Sequence, residues 1–169
     1  EGKMNRQTND SIEWAGYSLN VVTGCLEGCP YCYARDLAER YTPSGFIPTF
    51  HPSRLSGPRR TVLDDEDRIS PSMKNIFANS MSDLFGKWIP PDWIQANIDM
   101  ARNNPKWNFL VLTKSPERAV GYEFPDNWWM GTTVDTQDRV NVAEDAFEKI
   151  NCKTKWLSVE PLLSPLTFS

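Results

Sequence analysis

A chain of 169 residues can form one domain with a hydrophobic core but is too short for a complete eight-stranded α/β barrel, which takes about 250. Its 40% hydrophobic and 24% charged residues suit a globular protein, and no apolar run nears the roughly 20 residues of a membrane span, so a membrane partner is not expected. A net charge of −4 excludes a global basic field that would draw the protein to nucleic acid and leaves only a local basic groove open.

Residues 1–13 are polar, lack a signal-peptide core and read as a disordered or tag-derived tail; residues 14–169 read as the domain. Residues 17–23 predict a short buried strand ending at Gly24, with a cysteine-bearing loop directly after it. Residues 34–41 hold helix formers with Leu37 and Ala38 on one face, and Pro43 stops them. Residues 42–71 are rich in Pro, Ser, Gly and Arg and read as a long connection with one short helix at 64–68. Regular alternation then returns. Strands are expected at 75–79, 108–112, Trp128–Thr133 and 155–159. Helices are expected at 91–103, with Ile94, Ile98 and Ala101 at helical spacing, and at 137–150, with Val140, Ala143 and Phe147 on one face. A short helix opens at Pro116 with Ser115 as its N-cap.

Strand and helix in alternation predict βαβ units and an α/β fold with a parallel sheet of five or six strands. In such folds ligands sit at the carboxyl ends of the strands. Those ends carry, in order, the cysteine loop; Ser80, Ser82 and Asp83; Thr113 and Lys114; Thr132, Thr133 and Asp135; and Ser158 to Glu160. All five groups are expected on one rim.

Three of the four cysteines fall within eight positions, in Gly24-Cys25-Leu26-Glu27-Gly28-Cys29-Pro30-Tyr31-Cys32. Clustering of this kind points to a metal in a reducing, cytoplasmic compartment and away from a secreted disulfide framework. Three thiolates on one tight loop can hold three irons of a [4Fe–4S] cube and leave the fourth iron open. A structural zinc site would need a fourth ligand. Cys152 and the single histidine, His51, are distant in sequence. The alternative is three core or redox thiols, against which Gly24, Gly28 and Pro30 argue by breaking regular structure.

The C-x3-C-x-aromatic-C run directly after a first strand resembles the radical S-adenosylmethionine superfamily. Asn79-Ser80-Met81-Ser82-Asp83-Leu84-Phe85, Leu112-Thr113-Lys114-Ser115-Pro116-Glu117-Arg118, Gly131-Thr132-Thr133-Val134 and Ser158-Val159-Glu160-Pro161-Leu162-Leu163 are similar, in the same order, to a phage-associated family within it. The resemblance implies a partial (β/α) barrel that stops short of the family's last strand and its Gly-Gly-Glu-like segment. It implies a [4Fe–4S] cluster on Cys25, Cys29 and Cys32. The open iron would chelate the methionyl group of S-adenosyl-L-methionine, whose cleavage yields a 5′-deoxyadenosyl radical for hydrogen abstraction. It further implies that Tyr31 neighbours the adenine and that Ser80, Ser82 and Asp83 meet the amino group. Thr113, Lys114, Thr133 and Glu160 join them as cofactor-binding candidates, with a flavodoxin or ferredoxin as electron donor. No catalytic residue is assigned.

Each candidate has a structural counterpart. Ser80, Ser82 and Asp83 suit helix caps equally well. Lys114 and Arg118 suit a solvated helix start. Glu160, held extended by Pro161, either enters the barrel mouth to meet a cation such as Lys114 or forms a surface salt bridge. Trp128 and Trp129 face opposite sides of a strand and read as packing. Arg54, Arg59 and Arg60 in the long connection, with the phage association, make a nucleotide or nucleic acid a conceivable substrate. Two rival functions stand beside the enzyme: a non-catalytic zinc or iron–sulfur module, and a shortened barrel that binds the cofactor without turnover.

Overall fold

The computed structural model of the chain describes residues 2, 4–7, 13–43, 45–63 and 70–169. The short helix expected at 64–68 lies outside the described residues, as do residues 1, 3 and 8–12 of the expected tail.

Alternation of large apolar side chains builds the central sheet. Strands β1 (Asn5–Arg6) and β2 (Tyr17–Leu19) pair antiparallel, so part of the expected tail is an edge strand, and Met4 beside it is buried. The first expected strand is split. After Leu19 the side chain of Asn20 accepts Met81 N at 2.9 Å, and β3 (Val22–Thr23) leaves the sheet to pair antiparallel with β4 (Thr49–Phe50). Helix α1 (Tyr33–Tyr41) follows the cysteine loop; it buries Ala34 and Ala38, while Leu37, expected on that face, is exposed. The long connection holds β4, a 3-10 turn at Pro52–Ser56 and the single-turn α2 (Gly57–Arg60).

The remaining units keep to the predicted alternation: β5 (Asn75–Ala78), α3 (Pro91–Arg102), β6 (Asn108–Thr113), β7 (Trp128–Thr133), α4 (Gln137–Lys149) and β8 (Thr154–Ser158). A 3-10 turn at Pro116–Ala119 stands where the short helix was expected, and Ser115 does not cap it; its N–H bonds Thr113 Oγ1 at 2.9 Å instead. The sheet order is β1-β2-β5-β6-β7-β8, with every pair from β2 onward parallel. Each parallel strand therefore lies beside the next one in sequence, and their carboxyl ends share one rim.

Register aligns Tyr17, Ile76, Phe109 and Trp128 on one face, with Leu19, Ala78, Val111 and Met130 two residues on. Ile94, Ile98 and Ala101 of α3 join them in one buried core. Trp107 is fully buried there and donates Nε1 to Pro58 O at 3.0 Å, so its polar atom is satisfied. The opposite face carries Phe77, Leu110, Trp129 and Trp156, with Trp14 lying 4.8 Å from Phe77 and 5.4 Å from Trp156 between ring centroids. A Cβ at Gly131 would overlap the Trp156 indole, so the close approach requires glycine. Trp128 and Trp129 do point to opposite faces; Trp128 is fully buried and stacks on Phe124 at 5.4 Å.

Candidate functional site

The loop from Gly24 to Cys32 is pinned at its start. Gly24 N donates to Met81 O at 2.8 Å and Cys25 N to Phe46 O at 3.2 Å. Gly24 has φ +85°, and a Cβ there would overlap the Ile47 carbonyl, so only glycine lets the chain turn here. The loop then crosses the carboxyl ends of β5, β6 and β7. Cys25, Cys29 and Cys32 carry free thiols and line a single cavity of about 160 Å3. Tyr31, Ser80, Ser82, Asp83, Thr113, Lys114 and Thr133 line the same cavity. The structure thus brings together every expected site residue but one.

The exception is Glu160. It is exposed, outside that cavity, and leaves Lys114 to another carboxylate. A charge without a buried partner stays in water. The acid that meets Lys114 is Asp135, with Nζ to Oδ2 at 3.1 Å. Tyr31 OH donates to the same oxygen and accepts from Lys114 Nζ, which also lies 4.4 Å from the Tyr31 ring centroid. Lys114 Nζ further donates to Cys29 Sγ at 3.4 Å. Arg139 closes the array. It donates to Lys114 O at 2.8 Å, pairs with Glu27 at 2.8 Å, and has Nε 3.3 Å from Asp135 Oδ1, close but out of hydrogen-bond alignment. Burial pushes the Asp135 carboxyl up, but hydrogen bonds from Tyr31 and Lys114 and the two nearby cations outweigh it and hold it below 3.8.

Asp83 is buried and joins two strand ends. Its Oδ1 accepts from Phe85 N at 3.1 Å and Thr113 Oγ1 at 2.5 Å, and its Oδ2 from Lys114 N at 2.8 Å. Burial raises its carboxyl above 3.8, against the three donors, which pull it down. Ser80 Oγ bonds Asn20 Oδ1 at 3.3 Å, whereas Ser82 Oγ is buried without a partner among the described residues. Arg118 does not line the cavity; it clamps the loop after Asp83, donating to Phe85 O, Gly86 O and Ile89 O.

Cys152 precedes β8, at the amino-terminal end of the parallel strands and so on the rim opposite the loop; its thiol donates to Trp128 O at 3.3 Å. His51 bonds Thr23 Oγ1 at 2.8 Å through Nε2. Arg54 donates to Asn20 O at 2.7 Å, while Arg59 and Arg60 line a separate cleft of about 710 Å3 against α3. Arg59 and Arg60 therefore lie apart from the cysteine cavity, whereas Arg54 meets the carboxyl end of β2 without lining that cavity.

Three free thiols thus share one cavity with the Ser82 hydroxyl, which has no partner among the described residues. Among the described residues no three His, Cys, Asp or Glu side chains group tightly enough to hold a metal ion. Thiolates on a cube each take a different iron and stand farther apart than ligands sharing one ion. Burial foremost, with the neighbouring charges of Asp83 and Cys29, pushes the Cys25 thiol up to about 11, against a hydrogen bond from Glu27 N that pulls it down.

Asp135, Arg139 and Glu27 form the charged half of the site, and none was assigned a role from the sequence. The usable signal was the four-residue spacing of Asp135 and Arg139 across the start of α4. Among the described residues no helix is long and apolar enough to cross a membrane. No curated protein and no solved structure matches the chain. A family model described as a protein of unknown function, DUF5131, matches residues 9–169. With that span covering nearly the whole sequence, the chain belongs to the DUF5131 family.

Proposed function

We propose that this chain is a radical S-adenosylmethionine protein, built as a partial (β/α) barrel, that holds a [4Fe–4S] cluster on Cys25, Cys29 and Cys32. The observation that carries the proposal is the opening of all three thiols of one C-x3-C-x2-C loop into a single cavity at the carboxyl ends of a parallel sheet. When bound, the cluster and S-adenosyl-L-methionine supply radical hydrogen abstraction.

The chain's own residues have separable tasks. Cys25, whose thiol burial pushes up to about 11, gives up a proton on ligation, so loading is favoured at higher pH. Ser82 Oγ, buried without a partner among the described residues, and Thr133 on the same cavity suit bonding to the methionyl end of the cofactor. Lys114 offers the positive charge suited to a carboxylate. Tyr31 presents a ring that can neighbour the adenine, with its hydroxyl fixed by Asp135. Asp83 has most of its acceptor capacity committed to Phe85, Thr113 and Lys114, and holds the rim in shape. Free thiols suit a cytoplasmic setting, and reduction of the cluster calls for a low-potential donor such as a flavodoxin or ferredoxin.

The test is iron and sulfide content after oxygen-free reconstitution, followed by titration with S-adenosylmethionine. Four irons per chain and a cofactor-dependent change in the electron paramagnetic resonance spectrum of the reduced cluster are expected. One zinc per chain with no iron uptake refutes the proposal. A cluster that binds the cofactor yet never cleaves it supports the rival reading of binding without turnover.

A further inference from the structure

Lys114 is held more firmly than a surface lysine needs to be. Its N–H bonds Asp83, its carbonyl accepts from Arg139, and its side chain is only 12% exposed. Both of its oxygen partners have a further contact of their own. Tyr31 OH already donates to Asp135, and Asp135 already lies 3.3 Å from Arg139. The remaining partner of Nζ is sulfur, Cys29 Sγ at 3.4 Å. A fixed ammonium beside a thiolate ligand stabilises whichever state of a cluster carries more negative charge. Hydrogen bonds to ligand sulfur act in the same direction, and both are recognised levers on cluster potentials.

We propose that Lys114 is a positioning residue that raises the reduction potential of the cluster through Cys29, and that Asp135 opposes it by partly neutralising that charge. The inference rests on the cluster reading above. Reduction adds one electron, supplied by a low-potential donor, and makes or breaks no bond. The ammonium lowers the cost of the added negative charge; the Asp135 carboxylate raises it. The two residues therefore pull the potential in opposite directions, which a merely structural role for the array would not do.

The experiment is a redox titration of the reconstituted full chain with dithionite and low-potential mediators, followed by electron paramagnetic resonance. Lys114→Met and Lys114→Gln are expected to lower the equilibrium constant for reduction about tenfold, a shift of about 59 mV to more negative potential for one electron. Lys114→Arg should stay close to the wild type, and Asp135→Asn should shift the opposite way from Lys114→Met. Overturning results are a shift below twofold in the loaded Lys114 variants, or shifts of the same sign for Lys114→Met and Asp135→Asn. Loss of the cluster in both neutral Lys114 variants with retention in Lys114→Arg assigns Lys114 to anchoring the loop and also overturns the inference. Failure of the wild type to take up iron removes the cluster reading itself, whereas a loaded wild type with unmoved potentials removes only this inference.

Discussion

Replacing Asp83 by alanine tests whether the rim is held together by one buried carboxylate. The side chain accepts three bonds, from Phe85 N, Thr113 Oγ1 and Lys114 N. Truncation strands two backbone amides and a hydroxyl. An unsatisfied buried donor costs about 1–3 kcal/mol, so three give a ceiling of roughly 3–9 kcal/mol. Two effects reduce it. The buried carboxylate's own desolvation cost, which raises its pKa, disappears with it. The adjoining cavity also admits water to the freed groups. A net loss of about 2–4 kcal/mol is expected. Urea unfolding of the cofactor-free protein, followed by tryptophan fluorescence, measures it; with a slope of about 1–3 kcal/mol per molar, the midpoint falls by roughly 1–3 M. Because the folded carboxyl titrates above its ordinary value of 3.8, the unfolded state loses its proton first as pH rises. The stability Asp83 contributes is therefore complete below about pH 3.8 and declines as pH climbs through the folded value. The cost of Asp83→Ala should be larger at pH 4 than at pH 7. A midpoint unchanged within about 0.3 M would refute the reasoning and leave Asp83 free to serve the cofactor.

Cys152→Ala should keep the absorption near about 400 nm expected of the reconstituted cluster, and Cys25→Ala, Cys29→Ala and Cys32→Ala should each lose it; equal loss in all four would mean a four-thiolate site. Gly24→Ala should destabilise the chain by at least about 2 kcal/mol in urea unfolding, because a φ of +85° and an overlapping Ile47 carbonyl both oppose a Cβ, and a loss under about 0.5 kcal/mol would contradict the turn geometry. Asp135, whose folded carboxyl lies below 3.8, contributes stability that is present above that pH and lost as pH falls through its folded value. Urea midpoints of wild type and Asp135→Asn should therefore differ at pH 6 and converge toward pH 3, and a constant gap would exclude this assignment.

The strand and helix alternation was legible because local signals agreed. Pro91 sits in the first turn of α3, and apolar residues recur at helical spacing in α3 and α4, so both helices match expectation within a residue. Strand β7 matches at both ends. The break after Leu19 is not legible: Val21 and Val22 continue the apolar run, and the Asn20 contacts that end the strand come from Arg54, Ser80 and Met81, far along the chain. Strand β1 hid in a polar segment because a two-residue edge strand carries no periodicity. In the site, the cysteines and the polar strand ends could be read from spacing, whereas the acid that meets Lys114 could not. Glu160 and Asp135 each follow a strand, and which one turns inward depends on tertiary register; Arg139, in the first turn of α4, pairs with Asp135 from the side.

The sequential strand order has a consequence for how the protein is made. Each strand of the six-stranded sheet is laid beside the strand of that sheet made before it, with the β3–β4 pair set apart, so the sheet grows in one direction and its rim segments are made in chain order. The cysteine loop is among the first rim segments to leave the ribosome, yet Tyr31 and its partner Asp135 are 104 residues apart. At about 5–20 residues per second, the thiols wait roughly 5–20 s before Asp135 and Arg139 arrive to tie the loop down. During that interval they have neither the Lys114 contact nor the walls of the finished cavity. Cys25, Cys29 and Cys32 are therefore the thiols left longest without their folded surroundings, while Cys152, made later, is buried once β7 and β8 pair.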